Sequence, residues 1–231
     1  MVKSQKLVTD TTSALIPGVA ANYVRAVLDK AIDGIGPLQP VAEYAGARLA
    51  AHGGSVEKAV SSIITSHVSL AGVQGFVTNL GGIAIAPATV PANVVGVTMV
   101  QCHLAASIAW LRGYNLEDAR VRNAILMVML GKEAVQEMIE DKKLPSTPMA
   151  IATSPVHDPS LDDRIAKTVT SELVGRTIGR RAIMLAGKKI PFLGGAVGAG
   201  ADGFTTYLVG KYAQSELLDR RVPGQPDSTT R

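Results

Sequence analysis

Between Lys58 and Arg112 the chain runs for 53 consecutive residues without an Asp, Glu, Lys or Arg. An ordinary soluble chain is about a quarter charged and rarely leaves such a gap. Most of Ala59–Leu111 therefore does not face bulk water. It is either the buried centre of a helical domain or a segment that enters lipid. At 231 residues the chain is long enough for one domain with a sizeable core.

That core has to be built from small side chains. Aromatics are 4% of the residues while Ala, Gly and Val abound, so backbones can approach closely. Mean hydropathy of +0.23 is high for a soluble protein and low for a polytopic membrane protein. The net charge of +4 implies mild attraction to anionic surfaces. It is too weak to argue for nucleic acid, and no aromatic–basic interleaving supports that partner. Cys102 is the only cysteine, which excludes an intrachain disulfide and a thiolate metal cluster. Met1–Leu15 has no apolar core of a signal peptide. The expectation is a flexible segment over 1–15 and a cytoplasmic protein.

The pattern predicts an all-α single domain over 16–218, of eight or nine helices. Val24, Val27, Leu28 and Ala31 follow the i, i+3, i+4, i+7 spacing of one helix face. That helix begins near Pro17 and stops at Gly34–Gly36–Pro37. A second runs from Pro40 to His52. Ser55 is placed to cap a third, with Val56, Val60, Ile63, Ile64 and Val68 on one side. Pro87 and Pro91 break the uncharged run and make it a helical hairpin. Its second arm ends at Trp110–Gly113. Asn115 is placed to cap a helix over Leu116–Leu130, and a short polar helix follows over Lys132–Lys142. The proline-rich stretch 144–159 reads as an internal linker. Helix resumes over Leu161–Leu185, then over the glycine-rich Ile190–Gly210. The polar tail 219–231 is expected to be disordered.

Two stretches resemble the core of the EcsC family. One is Gly75-Phe-Val-Thr-Asn-Leu-Gly-Gly-Ile-Ala-Ile-Ala-Pro-Ala-Thr-Val-Pro, followed by an apolar helix with Gln101 and then Gly113-Tyr114-Asn115-Leu116. The other is Lys189-Ile-Pro-Phe-Leu-Gly-Gly-Ala-Val-Gly-Ala-Gly-Ala-Asp. The likeness extends over roughly Ile16 to Ala213. The chain departs from the family pattern at Asn115, where Asp is expected, and at Asp202, where Asn is expected. The resemblance implies a bacterial, helical protein in a membrane context, since the family takes its name from an association with ABC-type export systems. It brings no catalytic residues.

On the lipid reading, the hairpin dips into the bilayer at Pro87–Pro91. Lys58 on one flank and Arg112, Arg120 and Arg122 on the other then lie on the positive side. A spanning helix needs about 20 mainly apolar residues. Pro91–Leu111 reaches that length but includes Asn93, Thr98, Gln101 and His103, which are costly at the bilayer centre unless they face protein. Burial of the hairpin inside a compact bundle remains the competing reading. Gly194 with Gly198, and Gly195 with Ala199, form a small-residue seam. It is expected to pack closely against Gly81 and Gly82, or to form an oligomeric or lipid-facing contact. Arg176, Arg180, Arg181, Lys188 and Lys189 belong to a basic run before an apolar helix. They are candidate contacts for anionic lipid headgroups, against the reading of a solvated helix face.

No catalytic, cofactor or metal site is assigned. The histidines show no HExxH spacing. His67 and His103 lie on opposite arms of the hairpin and can face each other, with core packing favoured over a metal pair or proton relay. Cys102 beside His103 does not face it on a helix. The expected function is a non-enzymatic accessory protein that docks on or partly inserts into the inner face of the cell membrane. Its partners are anionic lipid or a membrane transport protein, and it is a candidate homo-oligomer. One alternative is a soluble module holding a lipid in an internal cavity. Another is an uncharacterised hydrolase using His67 or His103.

Overall fold

The computed structural model describes residues 17–72, 92–186 and 194–220. They form nine helices packed together and no strand. These are α1 (Pro17–Asp33), α2 (Val41–Ala51), α3 (Val56–Gly72), α4 (Ala92–Leu111), α5 (Ala119–Val128), α6 (Lys132–Glu140), α7 (Pro148–Ala152), α8 (Pro159–Ala186) and α9 (Gly194–Glu216). Pro87, Pro91, Gly81, Gly82, Lys188, Lys189 and the two termini lie outside the described residues.

The second arm of the uncharged run is the hub. α4 packs against α1, α2, α3, α5 and α9. It is apolar on every side, which a helix tolerates when it is enclosed. Among the described residues it is the one helix long and apolar enough to cross a membrane. Yet 89% of its stretch Val94–Leu111 is buried inside the protein. Protein packing alone therefore accounts for the lack of charge along α4.

The charges that bracket the run bind one another. Glu57 opens α3 and Arg112 follows α4, and their side chains meet at 2.7 Å. Arg112 is 4% exposed. Its guanidinium also donates to the carbonyls of Gln214 at 2.5 Å and Leu217 at 2.7 Å. It thus satisfies orphan carbonyls at the end of α9. Arg112 is a buried fastener, so its expected place on a charged membrane flank does not hold. Arg120 is bound to Asp118 and to the Ser154 carbonyl, and Arg122 to Asp29 and the Leu116 carbonyl.

Paired contacts set the direction of the central layer. Between α3 and α4, His67 meets His103 and Glu57 meets Arg112 just beyond α4; between α3 and α9, Ile64 lies against Gly210 and Val68 against Gly203. α3 is antiparallel to both α4 and α9, so Gly72, Ala92 and Gly194 lie toward one end of the bundle.

Local chemistry shifts some expected boundaries. Asn115 does not open a helix at Leu116. Its Oδ1 accepts from Glu117 N in a turn, while Asp118 caps α5 by accepting from Arg120 N. An acid three residues later competes successfully for the cap. The stretch 144–159 is more than a connection. Thr147 caps α7, Leu144 and Ile151 are buried, and Met149 N donates to Glu216.

Candidate functional site

α9 turns an unusual face to the outside. Gly203, Thr206 and Gly210 point inward, while Phe204, Tyr207 and Leu208 are 61%, 45% and 44% exposed. The three apolar residues are spaced i, i+3, i+4 and so share one face. The small residues explain the inversion. A Cβ on Gly203 would lie 3.3 Å from the Val68 carbonyl oxygen, and one on Gly210 would lie 2.9 Å from Ile64 Cγ1. Close approach to α3 requires glycine there and leaves the large residues on the far side of the helix.

The neighbouring surface of α3 carries no charge beyond Lys58. Ser61, Thr65 and Ser69 are exposed along it. Thr65, Ser66 and Ser69 donate their hydroxyl protons to carbonyls one turn back, at 3.0, 3.0 and 3.1 Å. Such hydroxyls need little from solvent. An open cleft of about 610 Å³ runs here, lined by Glu57, Lys58, Ser61, Ser62, Thr65 and Ser66 with His52. A smaller cleft, about 200 Å³, is lined by Tyr114, Asn115, Asp118, Arg120, Thr153 and Arg220 among others. Asp118 and Arg120 neutralise each other within it.

The uncharged arms also hold a buried imidazole pair. His67 is 2% exposed and His103 0%. His67 Nε2 lies 2.8 Å from His103 Nδ1. The outer nitrogens reach backbone carbonyls, His67 Nδ1 to Ile63 O at 2.8 Å and His103 Nε2 to Gln39 O at 2.9 Å. Tyr44 packs edgewise on both rings, and Arg48 lies over Tyr44 at 5.1 Å. Burial pulls both histidines below the ordinary imidazole range, His67 to about 3. Burial likewise pushes the Cys102 thiol up, and its Sγ contacts Met129 Sδ at 3.2 Å. No group of three or more metal-ligating side chains converges among the described residues.

The residues expected from sequence are partly placed. Gly194, Gly195 and Gly198 fall on α9, and Arg176, Arg180 and Arg181 on α8, but their side chains lie outside the described residues. The glycine contacts that can be described belong to Gly203 and Gly210, against Val68 and Ile64 of α3. The exposed Phe204–Leu208 face was missed. Its signal was the offset between Gly203/Gly210 and the large residues beside them. Comparison of the chain with family models, curated proteins and solved structures finds no match.

Proposed function

We propose that the protein is a non-enzymatic accessory that docks on the inner face of the cell membrane through the outer surface of α9 and α3. The observation that carries this reading is the outward Phe204, Tyr207 and Leu208 on a helix whose small residues face inward. Burying a Phe or Leu side chain gains about 1.5–3 kcal/mol, so a few such residues suffice for shallow, reversible docking. Adjacent hydroxyls already bonded to their own helix lower the cost of leaving water. The segment 73–91 has no charged residue. Basic residues Arg176, Arg180, Arg181, Lys188 and Lys189 would add attraction to anionic headgroups. The EcsC resemblance adds a transport system as the partner that such docking would serve.

Burial of α4 favours a peripheral mode over spanning. The alternative of a lipid held internally gains no support from the two clefts, which lie open at the surface. Co-sedimentation of the purified chain with phosphatidylglycerol-containing vesicles tests the proposal. Phe204→Asp with Leu208→Asp should weaken binding at least about tenfold, since 1.4 kcal/mol is a factor of ten. Circular dichroism should be unchanged, because both side chains are exposed. Arg176→Glu with Arg180→Glu should weaken binding only to anionic vesicles. Binding untouched by the α9 variant would remove the proposed surface.

A further inference from the structure

The histidine pair poses a problem of proton count. A neutral imidazole has one N–H donor and one bare acceptor nitrogen. The pair makes three close contacts, to Ile63 O, between the rings, and to Gln39 O. Backbone carbonyls only accept, so each outer contact requires an N–H on the histidine. The central N···N contact at 2.8 Å needs a proton as well. Three contacts need three protons, and two neutral imidazoles carry two. The ring centroids are 5.1 Å apart and the planes differ by 24°. With nitrogens at 2.8 Å, the rings lie nearly edge to edge, as an in-plane N–H···N bond demands.

Every neutral arrangement therefore leaves at least one contact with lone pair facing lone pair. Adding one proton satisfies all three, and a second would put two cations in contact. We propose that His67 and His103 form a binding site for a single proton, whose occupancy decides whether the Gln39 carbonyl is held.

The Gln39 end is the one able to respond. Ile63 O belongs to α3 and is fixed by its helix, whereas Gln39 sits on the short connection from α1 to α2. That connection is tightly folded. Leu38 N donates to Ile35 O at 3.1 Å. Gly34 has φ +83°, with the backbone of Leu38–Pro40 where a Cβ would stand. Losing the Gln39 contact therefore moves the turn as a unit.

The surroundings fit one proton and no more. α2 presents Tyr44 and the Arg48 guanidinium, and Arg48 opposes protonation. Among the described residues of the 34–40 turn and of α1, α3, α4 and α9, no carboxylate acts on either ring. Burial disfavours the cation, and the three hydrogen bonds formed with it act in the opposite direction. From the pair, Tyr44 and Arg48 lead outward to Ser62 in the open cleft, with Arg48 Nη1 donating to Ser62 Oγ at 3.4 Å.

The test is a long-range ¹H–¹⁵N imidazole titration of the full chain, recording backbone amides at Leu38 and Val41 in parallel. The expected result is one step, with both rings shifting at a common midpoint and one proton gained between them. The two amides should move at that midpoint. His103→Gln supplies both a donor and an acceptor to the same chain, so His67 should lose the step. Where that variant does not fold, the wild-type titration decides alone. Two separate steps would overturn the proposal. So would two rings that stay neutral, with static amides at Leu38 and Val41, down to acid unfolding.

Discussion

Arg112 shows how one residue can be read correctly as an end marker and wrongly as to its surroundings. In sequence it is the first charge after 53 uncharged residues. In the fold it closes the bundle by binding α3 and the end of α9 together. Arg112→Ala would leave buried carbonyls without a donor. Hydrogen bonds to charged groups contribute about 1.5–3 kcal/mol each, and Glu57 is too exposed to add much. A loss of about 3 kcal/mol in urea unfolding is expected. The histidine pair belongs to the same scale. Its folded-state affinity for protons is depressed by burial, whereas in the unfolded chain each imidazole titrates near about 6.5. The unfolded state thus binds more protons below that pH. Stability is fully present above about pH 6.5 and falls as the solution is acidified, by up to about 1.4 kcal/mol per pH unit for each histidine kept neutral. Urea midpoints at pH 7.5 and pH 5 should differ accordingly. In a His67→Gln, His103→Gln variant that difference should shrink.

At the scale of elements, the glycines of α9 divide by what lies beside them. Gly210 faces Ile64 and Leu104 at distances where a Cβ forces movement. Gly210→Leu should destabilise by about 1–3 kcal/mol through overpacking. Gly200 has open space where a Cβ would stand. Gly200→Ala should stabilise by about 0.5–1 kcal/mol, the difference in helix propensity. Thermal unfolding of the two variants checks both signs. Most helices were legible because their apolar residues recur with the helical period and end at glycine or proline, as α1 and α2 do. The start of α5 was not, because Asn115 and Asp118 are both good caps and only packing selects between them. α7 was hidden within 144–159, since prolines mark turns but do not reveal that Pro148 begins a helix. The glycine composition of α9 announced a close crossing. Which glycines make it depends on the rotation of α9 against α3, and that is a tertiary property.

For the whole molecule, the uncharged run posed a choice between core and lipid that composition could not make. The enclosure of α4 by five helices explains its part of the run by burial. The exposed hydroxyls of α3 and the apolar face of α9 require a different explanation, and a membrane surface supplies one. His67 and His103 were legible as residues on facing arms, but their hydrogen bonds to Ile63 and Gln39 depend on the turn at 34–40. The central claim is that this helical bundle meets the membrane from outside and keeps its apolar helix within itself. Fractionation of the untagged protein from expressing cells tests it most directly. The expected result is a membrane-bound pool that high salt or alkaline carbonate releases. A pool that only detergent releases would contradict the burial of α4, and a protein wholly absent from the membrane fraction would contradict docking.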